Sequence, residues 1–322
     1  MKKDLILFSF SFALITQDLL AMEEMEANDK TSGQLLSYRV NPYQGVNKKK
    51  QNKFSLSFNH RNRFTKEENV YGLIPMQRKH IDDVANIRCN SIVYQNYANH
   101  ECPEITIVKK TFCNTFLPRA KGEDARFPFV LVQFDTGNNK ETLPSYRVVG
   151  LINIGDGYDS NHRMFGYYID PGRELEPEEV VQRGLSLEEE HYENWGHGLG
   201  SIAIKIATHF TMQFQESNRS NEDSHDKISF NGVSRKPFPG ALCATSDPDN
   251  RRSSQPLQKA GLRLFTEEEV QLRGYSKNLT ETVKKLGAKE KIITKNYYEI
   301  TGEEFKQQKE AGIYKLTQVE KI

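Results

Sequence analysis

The sequence predicts an α+β fold built around an antiparallel sheet. Three apolar segments, residues 127–134, 146–154 and 163–169, have the length of strands and are joined by turns rich in Gly, Asp and Asn. Strands joined by short turns pair as antiparallel neighbours, so these three segments form a meander. Residues 203–214 then place Ala, Ile and Phe side chains at a period near 3.6, which is typical of a helix with one buried face.

The composition excludes several classes of protein. The 322 residues suffice for one large domain with extensions or for two small domains, at about 100–200 residues per domain. The 18 Phe and 14 Tyr residues supply apolar area for a core. A net charge of +1 argues against a nucleic-acid-binding surface over the whole protein, and four Cys exclude a small disulfide scaffold. The sequence lacks an apolar run of the ~18 residues that a membrane span needs, which excludes a multi-span membrane protein.

Residues 1–21 have the three parts of a signal peptide. Lys2 and Lys3 form a basic start, residues 5–15 are apolar, and Ala21 stands at the cleavage position. Leu19 departs from the pattern, because a small side chain is usual there. We therefore expect export and no membrane span after cleavage, with an uncleaved hydrophobic helix on a cytoplasmic protein as the alternative.

Residues 22–70 show no clear period and contain a basic, polar run at residues 47–53. We interpret this region as a flexible polar linker. A basic arm that touches an anionic surface is the alternative.

Residues 173–193 are strongly acidic, with eight glutamates opposed by Arg173 and Arg183. Ser186, followed three residues later by Glu189, is typical of a helix N-terminus. The segment is either a solvated helical insertion or a functional surface.

A glycine-rich turn, residues 195–201 (WGHGLGS), leads directly into the predicted helix. Glycines let the backbone approach a ligand closely, and free N–H groups at a helix N-terminus favour a phosphate. The turn lacks the Gly-Lys-Ser/Thr ending of a Walker loop and does not match G-x-G-x-x-G, so neither common nucleotide motif is present. Tight turns without any ligand are the alternative.

A second motif begins with an expected strand at residues 240–245 and continues through Asn250 into a short helix, residues 251–260, which Gly261 ends. Together the two motifs resemble the GNAT superfamily of acyl-CoA-dependent N-acetyltransferases, and most of all its branch that acetylates ribosomal-protein N-termini. Gly198-Leu199-Gly200 is similar to the family's phosphate loop, and the strand, Asn250-x-x-Ser253 and Lys259-Ala260-Gly261 are similar to its second motif. The likeness extends from about residue 71 to residue 306. Insertions lie near residues 173–193 and 215–238, and residues 307–322 form a C-terminal tail.

The resemblance implies a twisted mixed sheet with helices on both faces, and a gap where the strand ending near Asp170 splays from the strand at 240–245. Acetyl-CoA, the acyl donor, would lie in this gap. The implied cofactor-binding residues are Trp195, His197, Gly198, Leu199, Gly200, Ser201 and Asn250.

The chemistry that the resemblance implies is transfer of an acetyl group to a primary amine, on a protein N-terminus, a lysine or a small molecule, by direct attack on the thioester. Ser253 is the candidate general acid for the thiolate, although Asn250 and Ser253 also fit a plain helix cap. The candidates for the base are Asp156, Asp170, Glu190 and His191. The acidic segment 174–193 would attract a positively charged acceptor.

Two positions depart from the family pattern. Trp195 replaces the Gln or Arg that begins the phosphate loop, and Ile202 stands where the branch often has Glu. These departures and the long insertions bear on the acceptor more than on the cofactor.

Two further functions stay open: a non-catalytic acyl-CoA-binding module on the same fold, and a secreted interaction protein that binds no acyl-CoA. No metal is expected, since His191, Glu193 and His197 match no familiar zinc spacing. No nucleic acid is expected, because the net charge is only +1. Cys102 and Cys113 could pair in an exported protein, and Cys243 is expected to be a core thiol.

Overall fold

A nine-stranded sheet organises the chain in the computed structural model, which describes residues 38–43, 53–97, 104–117, 127–135, 145–158, 162–188, 190–219, 240–283 and 291–312. The strand order is β1-β2-β3-β4-β5-β6-β7-β11-β8, and β9 and β10 form a separate two-stranded sheet. The strands are β1 (Arg39–Tyr43), β2 (Lys53–Arg61), β3 (Glu68–Pro75), β4 (Phe127–Phe134), β5 (Tyr146–Asp156), β6 (His162–Ile169), β7 (Ala241–Ser246), β8 (Arg263–Leu264), β9 (Thr280–Val283), β10 (Lys291–Thr294) and β11 (Asn296–Thr301).

The sheet splits between β6 and β7. Among the described strands, this pair is parallel and all the others are antiparallel. Pairing runs from His162 opposite Ala241 to Phe165 opposite Ala244. Beyond that point β6 continues to Ile169 and β7 to Ser246 without pairing to each other, so a gap opens at their carboxyl ends. The predicted mixed, mainly antiparallel sheet with a splay is therefore confirmed.

Helices cover both faces of the sheet, because successive residues of each strand point to opposite sides. In β4, Phe129 and Leu131 pack with the long helix on one face, whereas Val130 and Val132 pack with the first helices on the other. The helices are α1 (Ile81–Cys89), α2 (Ser91–Tyr97), α3 (Ile105–Thr111), α4 (Pro177–Gln182), α5 (Leu199–Arg219), α6 (Arg251–Lys259), α7 (Glu267–Leu272), α8 (Ser276–Leu279) and α9 (Gly302–Glu310).

The predicted central elements are present. The meander of β4, β5 and β6 is antiparallel as expected. The apolar stripe of α5, from Ala203 to Phe210, is buried against the sheet. The side chain of Phe214 lies outside the described residues.

The prediction of a linker over residues 22–70 is wrong for the part of this region that the structure describes. Strands β1 and β2 occupy it, and β2 pairs with β3. Leu56, Phe58 and His60 point into the core, while polar side chains alternate with them on the other side. This alternation of period two is typical of a half-buried strand, and its polar positions are Ser and Asn residues. Residues 1–21, and with them the signal-peptide prediction, lie outside the described residues.

Two other boundaries differ from expectation. The acidic segment forms its helix at α4, where Glu176 and Glu179 make a capping box and Pro177 occupies the first turn, so a helix starting at Ser186 is wrong. The Ser186 hydroxyl accepts a hydrogen bond from the Glu188 amide in a turn instead. The predicted tail from residue 307 begins inside α9.

Most of the insertion at 215–238 lies outside the described residues. Cys102 does too, and with it the possible disulfide to Cys113. Cys243 is buried in the core as expected. In the part of the chain that the structure describes, no helix is both long and apolar enough to cross a bilayer.

Three buried histidines make the stability of the fold dependent on pH. Burial lowers the pKa of His80, His197 and His209 to about 4 each. The unfolded chain keeps a histidine pKa near 6.5, so between these two values it binds more protons than the native state. The free energy of unfolding is therefore expected to fall as the pH falls from about 6.5 to about 4, by roughly 1.4 kcal/mol per pH unit for each histidine.

Urea unfolding followed by circular dichroism at several pH values measures this slope. The variant His80→Gln should reduce the slope by about one proton. A free energy of unfolding that stays constant from about pH 7 to about pH 5 would contradict the assignment of these histidines as buried and neutral.

Candidate functional site

A cavity of about 320 Å³ lies where β6 and β7 separate. The end of β6, the glycine-rich turn, the first residues of α5 and α6, and the acidic segment all line it. It therefore brings together residues from both sequence motifs: Trp195, Gly198, Leu199, Gly200, Ser201, Asn250 and Ser253, with the base candidates Glu190 and His191.

Glycine is required at two positions of the turn by backbone geometry. Gly196 has φ of +79° and Gly198 has φ of +97°, a region that other residues rarely adopt. At Gly200 the limit is space, because an added Cβ would lie 3.1 Å from the Cδ1 atom of Ile169. The turn can therefore bring its backbone close to a ligand in the cavity.

The first residues of α5 line the cavity, and their amides have no acceptor within the helix. The first helical hydrogen bond runs from the Ile202 amide to the Gly198 carbonyl, at 3.1 Å. The amides of Leu199, Gly200 and Ser201 precede it and have no acceptor within the helix, as the first amides of any α-helix do. The first turn also contains no acidic side chain. The positive end of the helix dipole is thus available to an anion in the cavity.

The exposed edge of β6 offers further backbone groups. The Asp170 amide donates to the Val149 carbonyl, and the Gly157 amide donates to the His162 carbonyl. Hydrogen-bonded pairs alternate in an antiparallel ladder, so the even-numbered residues of β6 bond to β5. The N–H and C=O groups of Tyr167 and Ile169 consequently face the gap on the β7 side.

The side chain of Trp195 is hydrogen-bonded to one of these backbone groups. Its indole N–H donates to the Ile169 carbonyl at 3.0 Å. The Tyr192 ring meets it edge-on at 5.3 Å, and the Arg252 guanidinium lies 5.1 Å from the indole ring. Trp195 lines the cavity as expected, but its hydrogen bond anchors the turn to β6.

The first turn of α6 forms the opposite wall. The Asn250 side-chain oxygen accepts from the Ser253 amide at 3.1 Å, so Asn250 caps the helix. The Tyr167 hydroxyl donates to the Ser253 carbonyl at 2.9 Å and joins β6 to α6 across the gap. Burial raises the pKa of Tyr167 well above its usual value, which keeps this hydroxyl protonated at neutral pH.

The acidic segment is a wall of the cavity. The Leu175 amide bonds to the His191 carbonyl, and Glu174 pairs with Tyr192 in an isolated antiparallel bridge. The Arg252 guanidinium donates to the Glu190 carbonyl at 2.9 Å and ties the segment to α6. These bonds hold the folded part of the segment beside the cavity and next to α6.

Two of the four base candidates lie at the cavity. The Glu190 carboxylate accepts from the Tyr192 hydroxyl at 2.7 Å, and burial raises the pKa of Tyr192 to about 12. The His191 Nε2 atom lies 2.7 Å from the Ser186 carbonyl. A carbonyl only accepts hydrogen bonds, so Nε2 carries the proton and Nδ1 of the neutral ring has the lone pair.

The other two base candidates lie elsewhere. The Asp170 carboxylate accepts from the Gly172 amide at 3.2 Å and is not part of the cavity lining. Asp156 ends β5 opposite Arg163, at the far end of β6 from the cavity.

His197, a predicted cofactor-binding residue, is not part of the cavity lining. Its side chain is 4% exposed, and its Nδ1 atom lies 3.1 Å from Nε2 of His60. The imidazole therefore links the turn to β2 and does not line the cavity.

Several residues at the cavity were not predicted as site residues, although Lys259 belongs to the second motif: Arg63, Tyr167, Arg252 and Lys259. Tyr167 lies two residues before Ile169 in the predicted strand, so the sequence alone places both residues on the same side of β6. Arg63 had no such signal, because the hairpin that carries it was assigned to a linker. Within the described residues, no three His, Cys, Asp or Glu side chains lie close enough together to hold a metal ion.

Comparisons with known proteins give structural similarity alone. No protein-family model matches the chain, and no curated protein matches it. Solved structures that resemble it include a GNAT-family acetyltransferase from Bacillus anthracis, 16% identical, covering 72% of this chain and 95% of that chain with a TM-score of 0.41. Another is the ribosomal-protein-S5-alanine acetyltransferase from Vibrio fischeri, 12% identical, covering 76% and 96% with a TM-score of 0.43. A third is spermidine N-acetyltransferase from Vibrio cholerae in complex with CoA and spermine, 12% identical, covering 73% and 97% with a TM-score of 0.41.

Proposed function

We propose that the protein is an N-acetyltransferase that moves an acetyl group from acetyl-CoA to a primary amine. One observation carries the proposal: the glycine-rich turn before α5 and the Asn250–Ser253 turn before α6 line the same cavity, at the point where β6 and β7 separate. The two motifs are about 50 residues apart in the sequence, so the fold brings them together.

The cavity has the groups that an acyl-CoA requires. The amides of Leu199, Gly200 and Ser201 would bind the diphosphate at the N-terminus of α5. The pantetheine chain contains amides, which would pair with the edge of β6 as an added strand does. The Tyr167 and Ile169 amides face this gap and would donate to the oxyanion that develops on the thioester carbonyl.

The attacking amine must lose a proton, and His191 is the base that the geometry favours. Its Nε2–H donates to the Ser186 carbonyl, which orients the ring and leaves Nδ1 to accept a proton. The leaving thiolate would take a proton from the Ser253 hydroxyl, which the solvent then restores.

A cationic or amine-bearing acceptor fits the wall formed by the acidic segment. Glu190 is exposed at the cavity, and the segment carries seven other glutamates. Such a wall favours the approach of a positively charged molecule. Protein N-termini and polyamines are both acceptors of this kind.

A non-catalytic acyl-CoA-binding protein is the second candidate. The observation that favours it is Ile202, which stands near the start of α5 where the branch often has Glu, because this departure bears on the acceptor more than on the cofactor. Such a protein would bind acetyl-CoA without transferring the acetyl group. An exported interaction protein, the third alternative, would not bind acetyl-CoA.

Calorimetric titration of acetyl-CoA into the purified chain tests the proposed site. We expect a Kd in the micromolar range for the native protein and no detectable binding for Gly198→Asp. This substitution strains a residue with φ of +97° and adds a carboxylate where the diphosphate would lie.

The variant Gly274→Asp is the matched control, because Gly274 has φ of +74° and open space around it, outside the cavity lining. It should bind acetyl-CoA as the native protein does. A folded Gly198→Asp variant with native affinity would disprove the assignment of the turn, and a folded native protein that does not bind would disprove the proposed function.

Removal of the Ser253 hydroxyl tests its role as proton donor. We expect Ser253→Ala to lower kcat by about 100-fold, the lower end of what a positioned general acid contributes, with little change in the Kd of acetyl-CoA. The cap survives, since Asn250 bonds to the Ser253 backbone amide.

The neighbouring Ser254→Ala is the control for the proton-donor test. The Ser254 hydroxyl bonds to the Asn250 carbonyl and to Ser246, so its loss perturbs the same turn. Equal kcat values for the two variants, once an acceptor has been found, would remove the acid role from Ser253.

Replacement of His191 tests the base. Glutamine can still donate to the Ser186 carbonyl but cannot accept the proton, so we expect His191→Gln to lower kcat/KM by roughly 100-fold near neutral pH. The rate of the variant should recover as rising pH supplies neutral amine. If His191→Gln had native activity while Glu190→Gln did not, Glu190 would be the base.

A further inference from the structure

The hairpin between β2 and β3 brings an arginine to the glycine-rich turn. Arg63 lies in this hairpin and lines the cavity together with Gly196 and Gly198. The two ends of β2 and β3 that it joins lie at the same end of the sheet as the end of β6, because the intervening strands alternate in direction. The hairpin is therefore part of the rim of the cavity.

Phe64 holds two guanidinium groups beside the turn. The Arg63 guanidinium lies 4.5 Å from the centre of the Phe64 ring, and the Arg183 guanidinium lies 5.4 Å from it. The same ring lies 4.0 Å from the position that a Cβ atom would take at Gly196. Cations over an aromatic face keep their charge and their hydrogen-bond donors.

Arg183 adds a second guanidinium group at this rim. The Nη1 atom of Arg183 has no hydrogen-bond partner among the residues that the structure describes. Glu179, a carboxylate close enough to sense Arg183, makes two hydrogen bonds to Arg173 of 2.6 and 2.7 Å. Because Arg63 lines the cavity, an anion there would meet an arginine on the hairpin side as well as the amides at the start of α5.

We propose that Arg63 contacts a phosphate group of the acyl-CoA bound at the glycine-rich turn, so that the β2–β3 hairpin is part of the cofactor site. This proposal rests on the proposed function. The ligand has two sources of phosphate, the diphosphate and the 3′-phosphate of its ribose, and guanidinium groups recognise both through charge-assisted hydrogen bonds.

Titration of three ligands into the full chain tests the proposal: CoA, 3′-dephospho-CoA and pantetheine. We expect Arg63→Gln to weaken CoA binding about tenfold, which corresponds to the loss of one hydrogen bond to a charged group. Binding of pantetheine, which has no phosphate, should be unchanged. Arg63→Lys should retain part of the affinity, because it keeps the charge but not the planar fork.

The matched control is Arg61→Gln, which removes the same charge from the same hairpin. Arg61 is exposed, its Nε atom donates to the Lys66 carbonyl, and it is not part of the cavity lining. It should leave the affinity for CoA within about twofold of the native value, since charges separated by water interact weakly.

The outcomes distinguish a failure of the Arg63 proposal from a failure of the proposed function. Weaker binding of CoA but not of 3′-dephospho-CoA to Arg63→Gln supports contact with the 3′-phosphate, and weaker binding of both supports contact with the diphosphate. Native CoA affinity in Arg63→Gln, or equal weakening of pantetheine, overturns the proposal while leaving the acyl-CoA site in place. If the folded native chain binds none of the three ligands, the proposed function itself fails.

Discussion

The site depends on the loss of pairing between β6 and β7. A sheet that continued to pair past Phe165 and Ala244 would use the backbone groups of Tyr167 and Ile169 within the ladder and would leave no cavity. The two strands are parallel and are joined through α5, so their carboxyl ends point the same way. β7 leads directly into the turn at Asn250, and the acidic segment connects the end of β6 to the glycine-rich turn. Separation of the strands therefore creates the space and also supplies what lines it.

Several contacts keep the gap open at a defined width. The Tyr167 hydroxyl reaches the Ser253 carbonyl from one strand to the helix that follows the other, and Trp195 fastens the glycine-rich turn to Ile169. Arg252 joins α6 to the acidic segment through the Glu190 carbonyl. Each of these bonds involves a backbone carbonyl, so the positions of the walls depend on main-chain geometry more than on salt bridges, which contribute little at a solvated surface.

Local signals in the sequence were sufficient for the two motifs. Gly198 is needed for a positive φ, and Asn250 is a helix cap, and both constraints act within a few residues of the chain. The acidic segment shows how local signals fail. Both Glu176 with Glu179 and Ser186 with Glu189 resemble helix starts, and burial of Val180 against the rest of the protein favours the first.

Long-range pairing accounts for what the sequence could not reveal. The hairpin of β2 and β3 has a polar sequence because only alternate residues are buried. Its place beside the glycine-rich turn depends on the register of the three strand pairs between β3 and β6. Whether the backbone of Tyr167 or of Tyr168 faces the gap likewise depends on which residues of β6 bond to β5. The two base candidates that proved to be at the cavity, Glu190 and His191, were separable from Asp170 only by the course of the backbone after β6.

The buried contacts between the first strands and the later helix also constrain the order of folding. His60 meets His197 across 137 residues of sequence, and the Tyr38 hydroxyl bonds to His209 across 171 residues. Contacts of such separation close large loops, whose entropic cost must be met before the contact can stabilise anything. During synthesis the first strands leave the ribosome long before α5 exists, so their apolar side chains have no native partner on that helix until much of the chain has been made. We therefore expect that the first strands need protection, by a chaperone or by transient local structure, from the time they are synthesised until α5 has been made.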